Sequence, residues 1–165
     1  MALVDADTGE PLPEKRTPYP GIPPAQAPAG SLESIRLERS EHWGAGYPGP
    51  EAGLLLVPTT SPAAVPGLVG WTGACNYFLG GREISAVLGS WEERFGAVLY
   101  QLGEATLTLL IGRPPTTPAA ARALATEHYL LCPDNFYPQD YRPPISEGDY
   151  ARRLLGAPAW DFWWD

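Results

Sequence analysis

The stretch Arg82–Ile111, REISAVLGSWEERFGAVLYQLGEATLTLLI, decides how the chain is parsed. In its first half Ile84, Val87, Leu88, Trp91 and Phe95 recur at steps of three and four, while Glu83, Glu92 and Glu93 fall elsewhere on the wheel. That spacing predicts an amphipathic helix over 82–96. Gly96 stands where a helix C-cap favours a residue that tolerates positive φ. The second half, AVLYQL (97–102) and ATLTLLI (105–111), flanks Gly103 and Glu104. A two-residue connection with glycine first predicts a type II′ hairpin. Ala105, Leu107, Leu109 and Ile111 share one side of the second strand, with Thr106, Thr108 and Leu110 on the other, so helices are expected on the first face.

Downstream, Thr117 followed by Pro118 reads as an N-cap with proline at the first helical position, and the helix runs to about Leu131. Its apolar stripe is Ala121, Leu124, Ala125, His128 and Cys132, and Pro133 stops it. A further helix is predicted from Ser146, which forms a capping box with Asp149, to Leu155, with Gly156 closing it. The ending WDFWWD, Trp160–Asp165, is read as an aromatic segment that closes the domain and supplies a fourth strand. Left exposed, Trp163 and Trp164 would instead form a binding patch.

Upstream, LLLVP (54–58) reads as a brief buried strand, and SPAAVPGLVGW (61–71) holds one helical turn between its prolines. Residues 1–50 contain nine prolines and six glycines, a density at which compact regular structure is not expected. TPYPGIPPAQAPAG, Thr17–Gly30, is expected to be extended and mobile, or to lie against something else as a polyproline-like strap. Only SIRLER (34–39) alternates well enough there for a short strand. The order supports an α+β domain over 54–165: a small, mainly antiparallel sheet, ferredoxin-like in its nearest named form, covered by helices on one face. Residues 1–53 form a proline- and glycine-rich arm.

A chain of 165 residues with 44% hydrophobic composition fits one domain with a real core. Formal net charge is −8, from 19 acidic and 11 basic side chains, with no Lys/Arg cluster. A phosphate backbone would be repelled, and a basic protein partner suits the balance better. The start MALVDADTGEPLPEK has neither a basic n-region nor an apolar run, and no window approaches the roughly 20 apolar residues of a membrane span. Cys75 and Cys132, far apart and outside any CxxC pattern, suit a reducing cytoplasm. GLVGWTG (67–73) has the wrong spacing for a nucleotide loop, and no cofactor is expected.

Chemistry concentrates in EHYLLCPDN, Glu127–Asn135. His128 and Cys132 are four apart on one helix, a spacing at which two side chains can hold one metal, with Glu127 placed as in metal-dependent hydrolase helices. A third ligand would have to come from Asp134, Cys75 or the distant His42. A Cys132 nucleophile with His128 as base is a second reading, opposed by the helix dipole, which raises a thiol pKa at a C-terminal end. The third reading is structural. His128 lies on the apolar stripe and fits a buried, hydrogen-bonded imidazole, while Asp134 and Asn135 are good turn residues after Pro133.

The segments VGWTGACNY (69–77), AVLGSWEERFGAVLYQLGEATLTLLI (86–111), RPPTTPAAARALATEHYLLCPDN (113–135) and GAPAWDFWWD (156–165) resemble the bacterial family catalogued as domain of unknown function 4253. The resemblance covers roughly residues 54–165, and the residue usage is similar to that of a high-GC bacterial proteome. The family implies no activity. Its family-like positions Trp91, Glu92, Arg94, Glu127, His128, Cys132, Asp134 and Asn135 would gather near one sheet edge, with Glu92 or Glu127 pairing Arg94, as a site or as a buried polar latch. The latch is favoured. The expectation is therefore a non-catalytic interaction or accessory factor of immunity type in the cytoplasm, with Trp91, Glu92, Arg94, Asn135, Trp163 and Trp164 as binding candidates and no metal. The alternative is a small metal-dependent or cysteine/histidine hydrolase centred on Glu127, His128, Cys132 and Asp134.

Overall fold

In the computed structural model, which describes residues 53–138 and 143–164, a 3₁₀ turn at Pro62–Ala64 runs into a one-turn helix, α1, Val65–Leu68. Pro62 and Pro66 each sit in the first turn of these elements, where a missing N–H costs nothing. The next helix, α2, Gly81–Phe95, begins against α1: a Cβ at Gly81 would lie 2.1 Å from the Pro66 carbonyl oxygen, so only glycine permits this approach. Glu83 accepts a hydrogen bond from the Gly80 N–H at 3.1 Å. At the other end Gly96, at φ 58°, ends the helix as its sequence position predicts. Arg113 returns across this end and donates to the Glu93 carbonyl at 2.5 Å, placing a cation where the helix dipole is negative.

The chain then forms β1, Ala97–Leu102, and β2, Thr106–Ile111, which pair antiparallel. Their connection differs from the type II′ turn expected. The last pair is Leu102↔Leu107, a register irregularity separates Leu99 from Gln101, and Gly103 does not have the positive φ such a turn requires. A Cβ at Gly103 would meet Thr106 Oγ1 at 2.2 Å, so a larger residue there would require the threonine hydroxyl to turn aside. The Trp71 indole also donates to the Gly103 carbonyl at 2.7 Å, pinning the connection from outside the hairpin.

After the strands, α3 spans Pro118–Leu131 with Thr117 Oγ1 accepting from the Ala120 N–H, and α4 spans Glu147–Leu154 with Ser146 Oγ accepting from the Asp149 N–H. The aromatic ending becomes β3, Ala159–Trp163, antiparallel to β2. The sheet order is β1-β2-β3. The ending is thus a third strand, not a fourth, and the ferredoxin-like form gives way to this simpler order, since that fold needs parallel crossovers and no neighbouring strands here are parallel. The coarser expectation holds: an α+β domain with an antiparallel sheet and helices on one face.

Leu107, Leu109, Ile111, Trp160 and Phe162 line the covered face of the sheet and meet Ile84, Leu88, Trp91 and Phe95 of α2, Leu124 and Ala125 of α3, and Tyr150 and Leu154 of α4. Trp91 stacks on Phe162 with centroids 5.4 Å apart, and Trp160 sits edge-on to both Trp91 and Phe95. Full burial of a side chain such as Phe162 contributes about 2 kcal/mol. Leu54, Leu55 and Leu56 form no strand and are 90%, 67% and 84% exposed. An aperiodic apolar run carries no face to bury, whereas β3 alternates Trp160 and Phe162 inward with Asp161 and Trp163 outward. The SIRLER strand, His42 and residues 1–52 of the arm lie outside the described residues. No helix among the described residues is long and apolar enough to cross a membrane.

Candidate functional site

The inner side of α3 receives the polar residues of EHYLLCPDN. Trp91 and Arg94, three apart, share one face of α2 and meet Glu127 across the helix pair. The guanidinium binds the carboxylate in a fork, Nη1 to Oε1 at 2.9 Å and Nη2 to Oε2 at 2.5 Å, and the Trp91 indole donates to Oε2 at 2.8 Å. Both charged side chains are less than a tenth exposed. Charge-assisted bidentate bonds of this kind satisfy a pair that would otherwise be expensive to bury. Glu92 is not the partner: its carboxylate accepts from the Ser61 hydroxyl at 2.7 Å.

Beneath this pair His128 is completely buried, its ring 4.8–4.9 Å from the rings of Trp91, Trp160 and Phe162. Nδ1 lies 3.1 Å from the Tyr150 hydroxyl, and Nε2 has no hydrogen-bond partner. Asn135 Nδ2 donates to Tyr150 Oη at 3.0 Å and to the Asp161 carbonyl at 2.8 Å, so the phenol keeps its own hydrogen to give to Nδ1. Burial, aided by the Arg94 charge, lowers the imidazole pKa to about 3. It is neutral at pH 7 and too weak a base to activate a nucleophile there.

Cys132 donates its S–H to the Trp163 carbonyl at 2.9 Å, with Asn135 Oδ1 a longer 3.6 Å from the sulfur. Burial pushes the thiol up to about 12, further from a thiolate than the dipole alone suggested. Asp134 accepts from the Tyr77 hydroxyl at 2.6 Å. Glu127 is thus engaged by Arg94 and Trp91 and Asp134 by Tyr77, while His128 and Cys132 are joined through Tyr150 and Asn135, and no cluster of three or more His, Cys, Asp or Glu among the described residues could hold a metal. With Asn135, Cys132 also occupies outward carbonyls of β3, which blunts that sheet edge. A groove of about 480 Å³ is lined by Pro143, Pro144, Ile145, Asp149, Arg152 and Arg153, none from this segment. Of the tail candidates, Trp164 is buried with its indole donating to the Leu131 carbonyl, and Trp163 is half-buried.

The outer side of the same segment is apolar. Tyr129, Leu130 and Tyr137 are 40%, 62% and 54% exposed. The two tyrosine rings lie 6.2 Å apart, and the buried Phe136 supports Tyr129 edge-on at 5.4 Å. The Tyr77–Asp134 hydrogen bond ties this turn to the loop bearing Phe78, which is 96% exposed. Phe78 has φ 58°, the one positive value at a non-glycine among the described residues, and a bulky residue is unfavourable in that region. Sequence reasoning missed Tyr129, Leu130 and Phe78. The first two fall off the α3 stripe and could have been found on the helical wheel; nothing in CNYFLGG announces the third.

Fold and segment together define a small α+β protein in which the polar groups of Glu127–Asn135 bond to the interior while Tyr129, Leu130, Tyr137 and Phe78 are exposed. The family model for a domain of unknown function (DUF4253) matches residues 53–165, and the chain belongs to that family. No curated protein matches the chain, and no solved structure does.

Proposed function

We propose that the protein is a non-catalytic, cytoplasmic interaction or accessory factor that binds a protein partner through the exposed aromatic side of the α3 segment, using Tyr129, Leu130 and Tyr137. The observation that carries this reading is the division around EHYLLCPDN: its groups capable of catalysis are directed into the fold, while Tyr129, Leu130 and the following Tyr137 face solvent. Tyrosine-rich patches rigidly backed by a core are common at interface centres. Of the tail candidates Trp164 is a core residue and Trp163 is half-buried, so the more exposed tyrosine side is the surface preferred here. A net charge of −8 favours a basic protein over nucleic acid or an anionic membrane, and the two free thiols suit a reducing compartment. The test is affinity purification of the full-length protein from its native cells beside a Tyr129→Ala/Tyr137→Ala variant. A stoichiometric partner retained by the first and lost by the second is expected; equal recovery, or none with either, overturns the reading.

A further inference from the structure

The aromatic side of the α3 segment has a candidate occupant within the chain. Tyr129 and Tyr137 form an edge-on ring pair, centroids 6.2 Å apart and inclined at 69°, and both are exposed, as is Leu130. An exposed aromatic pair of this kind suits proline: pyrrolidine rings pack on aromatic faces, and phenols donate to the carbonyls that a polyproline helix leaves unpaired. Stacked nucleobases would use similar rings, but the net charge of −8 opposes them.

The 52 residues before Gly53 lie outside the described structure and contain TPYPGIPPAQAPAG, Thr17–Gly30, with prolines at 18, 20, 23, 24 and 28. Roughly 20 residues separate Gly30 from Gly53, which at about 3.3 Å each span some 70 Å. A domain of this size has a radius of gyration of only about 13 Å, so every point on its surface is within reach. Lys15 and Arg16 precede the segment. On the surface of α3, one turn before Tyr129, Thr126 holds the exposed Glu147 carboxylate at 2.6 Å, a group of complementary charge. Tethering makes the encounter intramolecular, so weak contacts suffice to populate it.

We propose that Tyr129, Leu130 and Tyr137 form the docking site for the chain's own proline-rich segment Thr17–Gly30. This rests on the reading of that side as an interaction surface and adds its resting occupant, which an external partner would have to displace.

The test is NMR of the isotope-labelled full-length protein, compared with a Pro20→Ala/Pro23→Ala/Pro24→Ala variant. Expected are cross-peaks between the prolines of 18–28 and the Tyr129 and Tyr137 rings, unchanged on dilution, and their loss in the variant together with a shift of the ring resonances. Ring resonances identical in the two proteins overturn the proposal. So do cross-peaks that appear only between differently labelled molecules in a mixed sample, which would assign the contact to a second copy. If the ring resonances are identical yet Tyr129→Ala/Tyr137→Ala still abolishes partner capture, docking fails and the interaction reading stands.

Discussion

On one side of the Glu127–Asn135 segment a carboxylate, an imidazole, a thiol and a second carboxylate are closed off from water; on the other, tyrosine and leucine face it. This inverts the usual partition of side chains. The inner side is tolerable because nearly every polar group has a partner: the Arg94 fork, the Trp91 indole, the Tyr150–Asn135 chain and the β3 carbonyls. Helix α3 is thereby bolted to α2, α4 and β3 by directional bonds. The outer side has no such demand and is free to be selected for contact. Reactive residue types close together in sequence are thus no sign of a reactive site, since each can be taken up by a structural hydrogen-bond partner.

The largest expected effect tests the bolt. Glu127→Ala leaves the Arg94 guanidinium buried without its counter-ion and should cost about 3–5 kcal/mol in urea unfolding. A loss below about 1 kcal/mol would mean that the pair is effectively solvated and would dissolve the contrast between the two sides. Replacing both partners, Arg94→Met with Glu127→Leu, should recover much of the loss, because no unpaired charge then remains.

Next comes the imidazole. His128→Ala empties space between three aromatic rings and strips Tyr150 of a partner, for a cost of about 2–4 kcal/mol and a melting temperature lower by several degrees in scanning calorimetry. The same residue sets a pH dependence. Its folded pKa of about 3 lies below the ordinary 6.5, so the unfolded chain binds the proton first. Its contribution is fully present above pH 6.5 and is lost as pH falls toward 3, at no more than about 1.4 kcal/mol per pH unit. The stability difference between wild type and His128→Phe should slope through that window; a flat difference would mean that the imidazole is hydrated. At the alkaline end the sign reverses. Cys132 keeps its proton to about pH 12 in the fold, so stability is lost as pH rises above 9, and Cys132→Ala should weaken that decline.

The smallest effect belongs to the outer side. Tyr129→Ala and Tyr137→Ala should each change stability by no more than about 0.5 kcal/mol, while removing partner capture. A cost of 2 kcal/mol or more in chemical denaturation would make these rings part of the core and erase the distinction.

Much of the outline was legible. The 3.6-residue spacing of Ile84, Leu88, Trp91 and Phe95, the Thr117 and Ser146 caps and the Gly96 stop are local signals, and each appears where the sequence places it. So is the family match, which begins at 53, one residue from the boundary expected. The failures share one cause. The Leu54–Val57 run, the turn at Gly103 and the strand number depend on distant contacts: Leu54–Leu56 find none and stay exposed, Trp71 bonds to the Gly103 carbonyl, and the tail supplies the third strand. In the site, the stripe put His128 and Cys132 inside, and the latch was foreseen as a class. Its partners were not: Arg94 could have paired with either Glu92 or Glu127, and Tyr150, Asp161 and Tyr77 gave no sign of belonging. The sequence by itself determined the helices, the hairpin and which residues of α3 turn inward, because those follow from backbone period and caps within a few residues. Only folding decided which partners the inward polar groups bond, and that Phe78 and Tyr137 stay exposed, because hydrogen-bond pairing and burial depend on segments brought together from far apart in the chain.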